Sequence, residues 1–232
     1  MSTLIPGKIF LADQRGLVES AQFRRHCTLS FGAYQHPDRG PVGRLLALNE
    51  ELLAGGQQVT LTAESAGYVL LLPITGAVQA RLGSGVPTTT DVGEVRVLPV
   101  AAGQPLSFRN PYAGDVISFL HLWLRADADA PAAPTPLFSF EPAALANQLA
   151  PLVPLSAGWP LGLSLGRFAG RHEAVYRPQP GAQVVAFVLA GAFEAEGRLL
   201  HEKDGLALWD AAEIEVEALS NDALLLLLEL PA

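Results

Sequence analysis

The sequence predicts an all-β chain folded as two small tandem barrels, with few and short helices. Three observations predict it. Short apolar runs recur at intervals of roughly 8–15 residues, many separated by Gly, Pro or Asp, the spacing of sandwiches and barrels. The 232 residues include 22 glycines and 18 prolines, so turns are frequent and long helices are not expected. The two halves also repeat each other.

The elements follow in order. Tyr68–Leu72 is an apolar run between Gly67 and Pro73. Glu94–Leu98 alternates, with Glu94 and Arg96 against Val95 and Val97. Val116–Leu124 is a long strand. Gln183–Leu189, Leu206–Trp209, Glu213–Ala218 and Ala223–Leu230 follow. In the third of these, Glu213, Glu215 and Glu217 alternate with Ile214 and Val216, which predicts one wet face. Five consecutive leucines, Leu224–Leu228, predict a strand buried on both faces.

The repeat has two parts. Leu71–Ala80 (LLPITGAVQA) pairs with Ala186–Ala195 (AFVLAGAFEA), each an apolar strand, a turn glycine (Gly76, Gly191) and a second strand. Each half then ends on a turn and an apolar strand, Asn110 to Leu124 and Asn221 to Leu230. Duplication explains two matches in one order. Pro131, Pro134 and Pro136 among alanines mark a linker just past the middle. The expected organisation is a first barrel over 1–126, a linker over 127–142 and a second barrel over 143–232.

Composition excludes several functions. Acidic residues number 23 and basic residues 15, for a net charge of −8, and the 13 Arg and 2 Lys form no run. Direct nucleic-acid binding is therefore not expected. Cys27 is the only cysteine, which excludes an internal disulfide and a thiolate zinc cluster. Pro142–Gly166 has no charged residue, but Pro151, Pro154 and Pro160 break it as a membrane helix. A short helix near Ala143–Leu149 and a buried loop are expected there. Met1–Ile9 lacks the pattern of a signal peptide, so the expected location is cytoplasmic.

Several motifs together resemble one family. Thr28–Tyr34 (TLSFGAY) resembles the opening strand of the pirins, proteins of two cupin barrels (double-stranded β-helices). Gly55-Gly56, the turn at Gly76, Gly93-Glu94-Val95 and Phe119–Leu124 (FLHLWL) fit the same template in order. Asp204–Asp210 (DGLALWD) is similar to the C-terminal barrel of bacterial pirin-like proteins. The resemblance covers about residues 8–230. It implies two cupin barrels and, in the family, iron or another divalent metal in the first. Some members oxidise flavonols such as quercetin; others regulate by binding proteins. The family's ligands are three histidines and a glutamate, two from a His-Pro-His segment and two shortly before an Asn-Pro step.

Counting from the shared motifs places those ligands on Thr62, Glu64, Leu106 and Phe108. No His, Asp or Glu occurs between Val95 and Gly114. A divalent iron or nickel site needs imidazole and carboxylate, so the expectation is a degenerate site and no cofactor.

The five histidines, His26, His36, His121, His172 and His201, form no local metal motif. His36-Pro37-Asp38-Arg39 reads as a surface loop, and His172-Glu173 and His201-Glu202 as surface pairs. Cys27 reads as a buried thiol beside His26. No serine lies in a Gly-x-Ser-x-Gly elbow, and no Gly-Lys-Ser or Gly-Lys-Thr follows Gly158, Gly162 and Gly166. His121 shares a strand face with Phe119 and Trp123. Facing inward, it would meet a ligand or act as an acid or base; facing outward, it is a structural histidine. Glu64 is either a lone carboxylate at the old ligand position, paired with Arg81 or Arg96, or an exposed strand-end residue.

The expected function is therefore binding without catalysis. The expected partner is a small apolar or aromatic molecule, or a protein, with Thr62, Glu64, Tyr68, Leu106, Phe108 and His121 as candidate contacts. The alternatives are a quercetin 2,3-dioxygenase-like enzyme with an unusual ligand set and a metal-free enzyme using His121 or Glu64. The sequence carries no signal for oligomeric state.

Overall fold

A computed structural model describes residues 5–126, 135–155 and 159–232. In chain order the strands are β1 (Gly7–Phe10), β2 (Gly16–Glu19), β3 (Phe23–Cys27), β4 (Leu45–Leu53), β5 (Gln58–Thr62), β6 (Gly67–Thr75) and β7 (Val78–Leu82). Then come β8 (Thr88–Thr90), β9 (Glu94–Val100), β10 (Pro105–Arg109), β11 (Ile117–Arg125), β12 (Leu137–Ser139), β13 (Ala150–Val153) and β14 (Gly162–Phe168). The last are β15 (Glu173–Tyr176), β16 (Gln183–Ala190), β17 (Phe193–Ala195), β18 (Arg198–Leu200), β19 (Gly205–Leu208), β20 (Ile214–Ala218) and β21 (Ala223–Leu230). No α-helix occurs among the described residues; Ala12–Gln14 and Pro142–Leu145 are 3₁₀ turns. No helix among them is long and apolar enough to cross a membrane.

Two compact units result. The first, Arg15–Ser139, packs the sheet β12-β9-β6-β11-β4-β3-β2 against the sheet β5-β10-β7-β8. The second contains Phe140–Ala232 with the described part of Met1–Gln14. It packs β1-β19-β16-β21-β14-β13 against β15-β20-β17-β18. The orders β9-β6-β11-β4 and β5-β10-β7-β8 thus recur in the second unit with every strand number raised by ten, as a duplicated barrel requires. All seven strands read from the sequence are present.

Each barrel is filled by alternation. In the first, Val69 and Leu71 of β6, Phe119 and Trp123 of β11, and Phe108 of β10 share one core. Phe108 and Phe119 lie 5.2 Å apart. In the second, Val184, Ala186 and Val188 of β16 meet Leu225 and Leu227 of β21 and Phe168 of β14. Leu226 and Leu228, on the opposite face of β21, are buried too, so the leucine run is buried on both faces apart from half-buried Leu224. Ile214 and Val216 are buried between exposed Glu213 and Glu215 and half-buried Glu217.

Four readings change. Gly7–Phe10 does not join the first barrel: it pairs along β19, and Asp204 Oδ1 accepts from the Ala12 N–H at 2.7 Å. That pairing covers a sheet edge that would otherwise present open N–H and C=O groups. Of the expected 127–142 linker, 127–134 lie outside the described residues, and Leu137–Ser139 is a strand paired with β9. The expected short helix is a single 3₁₀ turn, and Ala150–Val153, expected as loop, is edge strand β13. Thr28–Tyr34 is not a strand: β3 ends at Cys27, and Gly32 at φ 55° turns the chain so that Phe31 and Tyr34 bridge each other.

The two turn glycines behave as a repeated pair. Gly76 and Gly191 have φ of 73° and 78°, and the residue after each donates its N–H to a hydroxyl, Tyr112 or Ser220. A Cβ at Gly76 would sit 2.6 Å from Ile117 Cγ2, and one at Gly191 2.3 Å from Ser220 Oγ. Gly76→Val and Gly191→Val should therefore each destabilise their own barrel by roughly 2–4 kcal/mol. Calorimetry that finds both melting temperatures unchanged would contradict these turn assignments.

Candidate functional site

The first barrel contains a chain of buried polar contacts. Cross-strand register sets it up: Arg25 of β3 pairs with Glu51 of β4, and Glu51 with Phe119 of β11; one row along, Cys27, Asn49 and His121 align. All of these face the core. Trp123 Nε1–H donates to His121 Nδ1 at 2.8 Å. Indole nitrogen is a donor only, so Nδ1 carries no proton. The neutral His121 ring then bears its proton on Nε2, which lies 3.2 Å from Glu51 Oε2 and donates to it. Arg25 closes the line with a two-pronged pair, Nε to Oε2 at 2.6 Å and Nη2 to Oε1 at 3.2 Å. Its guanidinium carbon lies 5.3 Å from the Phe23 ring centroid and 5.5 Å from that of Phe31.

The relay is enclosed. His121 and Glu51 are 0% exposed. Burial lowers the His121 pKa from its ordinary value, the hydrogen bond and charge of Glu51 oppose that, and Arg25 adds to it. Asn49 beside it is also buried, and its amide has no protein partner among the described residues. Cys27 is a buried thiol pushed up to about 11 by burial. The second barrel buries a carboxylate as well: Glu229 accepts from the Tyr176 hydroxyl and the Gln179 N–H.

The relay ends on a cavity of about 410 Å³ in the first barrel. Arg25, Trp123 and Leu46 form one wall. Thr60, Leu61 and Thr62 of edge strand β5, with Glu64 and Ser65 beyond it, form another. The Ser30–Pro41 segment supplies Ser30, Phe31 and Gln35. Phe31 lies 5.6 Å from Trp123 and 5.9 Å from His121, between the cavity and the relay.

The sequence-predicted residues scatter around this arrangement. Thr62 and Glu64 line the cavity and are exposed. Leu106 and Phe108 are 0% exposed, paired with Leu61 and Val59. The four counted positions therefore do not converge. Alternation sends Val59, Leu61 and Ala63 toward the core and Thr62 away from it. Tyr68 does not line the barrel either: it sits on the face of β6 opposite Val69 and Leu71. His121 faces inward, but both its ring nitrogens are engaged. Arg96, an expected partner of Glu64, donates instead to Thr90 Oγ1 and Thr89 O. His36, His172 and His201 are exposed.

Residues 161–230 match the quercetinase C-terminal cupin domain family. YhhW from Escherichia coli has the same fold, at TM-score 0.87 and 20% identity over 97% of this chain and 98% of that one. The chain has the fold of two cupin barrels seen in YhhW. Bacterial pirin YhhW in complex with nickel(II) superposes on this chain at TM-score 0.86, with 20% identity over 97% and 99% of the two chains. Quercetin 2,3-dioxygenase from Acinetobacter baumannii matches at TM-score 0.70 and 14% identity, over 97% of this chain and 85% of that one. No curated protein matches by sequence.

The inward side chains of β5 and β10 do not fit a divalent ion. The inward side chains where β5 meets β10 are Val59, Leu61, Leu106 and Phe108, which offer no donor atom. Among the described residues, no group of three His, Cys, Asp or Glu could hold a metal ion. Sequence reasoning missed Arg25, Glu51 and Phe31. The signal for Glu51 was available: Asn49-Glu50-Glu51 interrupts an apolar run, and a strand there puts residues 49 and 51 on one face.

Holding His121 neutral has a testable sign. The unfolded chain takes up a proton near the ordinary value of 6.5, whereas burial makes the folded ring harder to protonate. Its contribution is complete above that pH and is lost as pH falls below it. His26 is shifted the same way. The unfolding free energy of the unaltered chain should fall between pH 7 and pH 5, and His121→Gln should flatten that slope while lowering stability at pH 7 by about 1–3 kcal/mol. Denaturant titrations with equal slopes for both proteins would contradict the neutral buried ring.

Proposed function

We propose that this chain is a binding protein that works without a metal: the cavity of the first barrel holds a small, ring-bearing molecule and releases it unchanged. The observation that carries the reading is a replacement. Hydrocarbon side chains occupy the inward positions of β5 and β10, while a cavity lined by Phe31, Trp123, Leu46 and Leu61 lies at the β5 edge. Its volume of about 410 Å³ is in the range of small-molecule sites, and its lining mixes four large apolar side chains with polar ones from Arg25, Gln35, Glu64 and the hydroxyl residues. His121 supports binding over acid–base chemistry, because neither ring nitrogen is left for a substrate. The earlier reading of a protein partner finds no comparable feature in its favour.

One observation favours a second reading, a metal-dependent flavonol oxidase: the match of residues 161–230 to a quercetinase domain. That reading requires an ion held by a ligand set other than the family's.

Protein purified with Ni(II) or Fe(II) present should carry far less than one equivalent of metal. Quercetin should quench its tryptophan fluorescence without being consumed in air. Thr62→Trp, on an exposed edge-strand position, should fill the cavity and remove the quenching while the fold is kept. Near-stoichiometric metal together with quercetin consumption would replace the proposal with the oxidase reading.

A further inference from the structure

The charge at the cavity wall is already balanced. Arg25 is the cationic wall residue, but Nε–H and one Nη2–H are bonded to Glu51, which leaves Nη1 as the nitrogen with no bond to that carboxylate. The Phe23 and Phe31 rings both pack against the guanidinium. Behind Glu51 stands a neutral His121 that adds no positive charge. Glu64 stands on the opposite wall with a second carboxylate. Trp123 has spent its only N–H on His121, so it offers the cavity a ring and no donor.

We infer that this cavity selects an uncharged aromatic ligand bearing an oxygen acceptor over the corresponding anion, and that Glu51 sets the preference. The inference rests on the binding reading above and names the ligand class. A carboxylate entering the cavity would lose water and meet a guanidinium whose charge Glu51 offsets at 2.6 Å, with Glu64 also near. An amide carbonyl loses less hydration and still accepts from Arg25 Nη1. Glu51 need not touch the ligand; it acts through Arg25, as a positioning and charge-balancing residue.

Benzamide and benzoate have nearly the same shape and differ in charge, so their ratio of affinities reads the inference directly. Saturation-transfer NMR titrations of the full chain at pH 7.5 should give about tenfold tighter binding of benzamide. Glu51→Gln removes the balancing charge and should shift the ratio toward benzoate by about tenfold or more, a change that loosened packing alone would not produce. Should Glu51→Gln fail to fold, Glu64→Gln at an exposed position decides: it should shift the affinity ratio toward benzoate by about two- to threefold, and an unchanged ratio would overturn the inference. Benzoate binding the unaltered chain as tightly as benzamide would overturn the inference and leave the binding reading standing, as would a folded Glu51→Gln protein with an unchanged ratio. Binding of neither probe would overturn both.

Discussion

The Glu51 carboxylate is the constraint around which the first barrel is organised. A carboxylate enclosed at 0% exposure loses its hydration, and it is tolerable only because three hydrogen bonds replace the lost water. Those bonds come from both neighbours of its strand, Arg25 on β3 and His121 on β11. The requirement therefore fixes more than a side chain. A one-residue slip of either strand would turn its donor outward and leave a bare charge in the core. Removing one member of such a buried pair commonly costs about 3–5 kcal/mol, which rivals the loss of a core phenylalanine.

The same contacts decide what the cavity wall can present. The tautomer of His121 follows from Trp123, the orientation of Glu51 follows from His121, and the commitment of two Arg25 nitrogens follows from Glu51. The cavity thus meets the outer ends of a relay whose interior is closed. In the proposed function this makes the wall rigid and nearly neutral, suited to recognising shape and a neutral acceptor. The relay lies on β3, β4 and β11 of the large sheet, whereas Val59, Leu61, Leu106 and Phe108 lie on β5 and β10 of the small one. The two sheets of one barrel carry separate features: a polar relay on one and a hydrocarbon patch on the other.

Much of the fold was legible because it depends on local signals. Alternation, turn glycines and the 115-residue offset between Gly76 and Gly191 needed no knowledge of partners, and the strand order bears out the duplication they imply. What failed was non-local. Nothing near Gly7–Phe10 says that it pairs with a strand almost two hundred residues later. The position of His121 on one face with Phe119 and Trp123 could be read from period two. Its bond to Glu51 could not, because that depends on the register between β11 and a strand that Asn49-Glu50-Glu51 disguised. Counting along β5 carried a comparable risk: exposed positions 62 and 64 alternate with core-packed 61 and 63, so a one-residue uncertainty exchanges one face for the other.

The central claim is that His121 serves as a neutral, doubly bonded link between an indole and a carboxylate. Nitrogen-15 chemical shifts of its imidazole at pH 7.5 test this most directly. The account predicts a protonated Nε2 and an unprotonated, hydrogen-bond-accepting Nδ1 at that pH. A proton on Nδ1 at neutral pH, whether in the other tautomer or in the imidazolium, would contradict it.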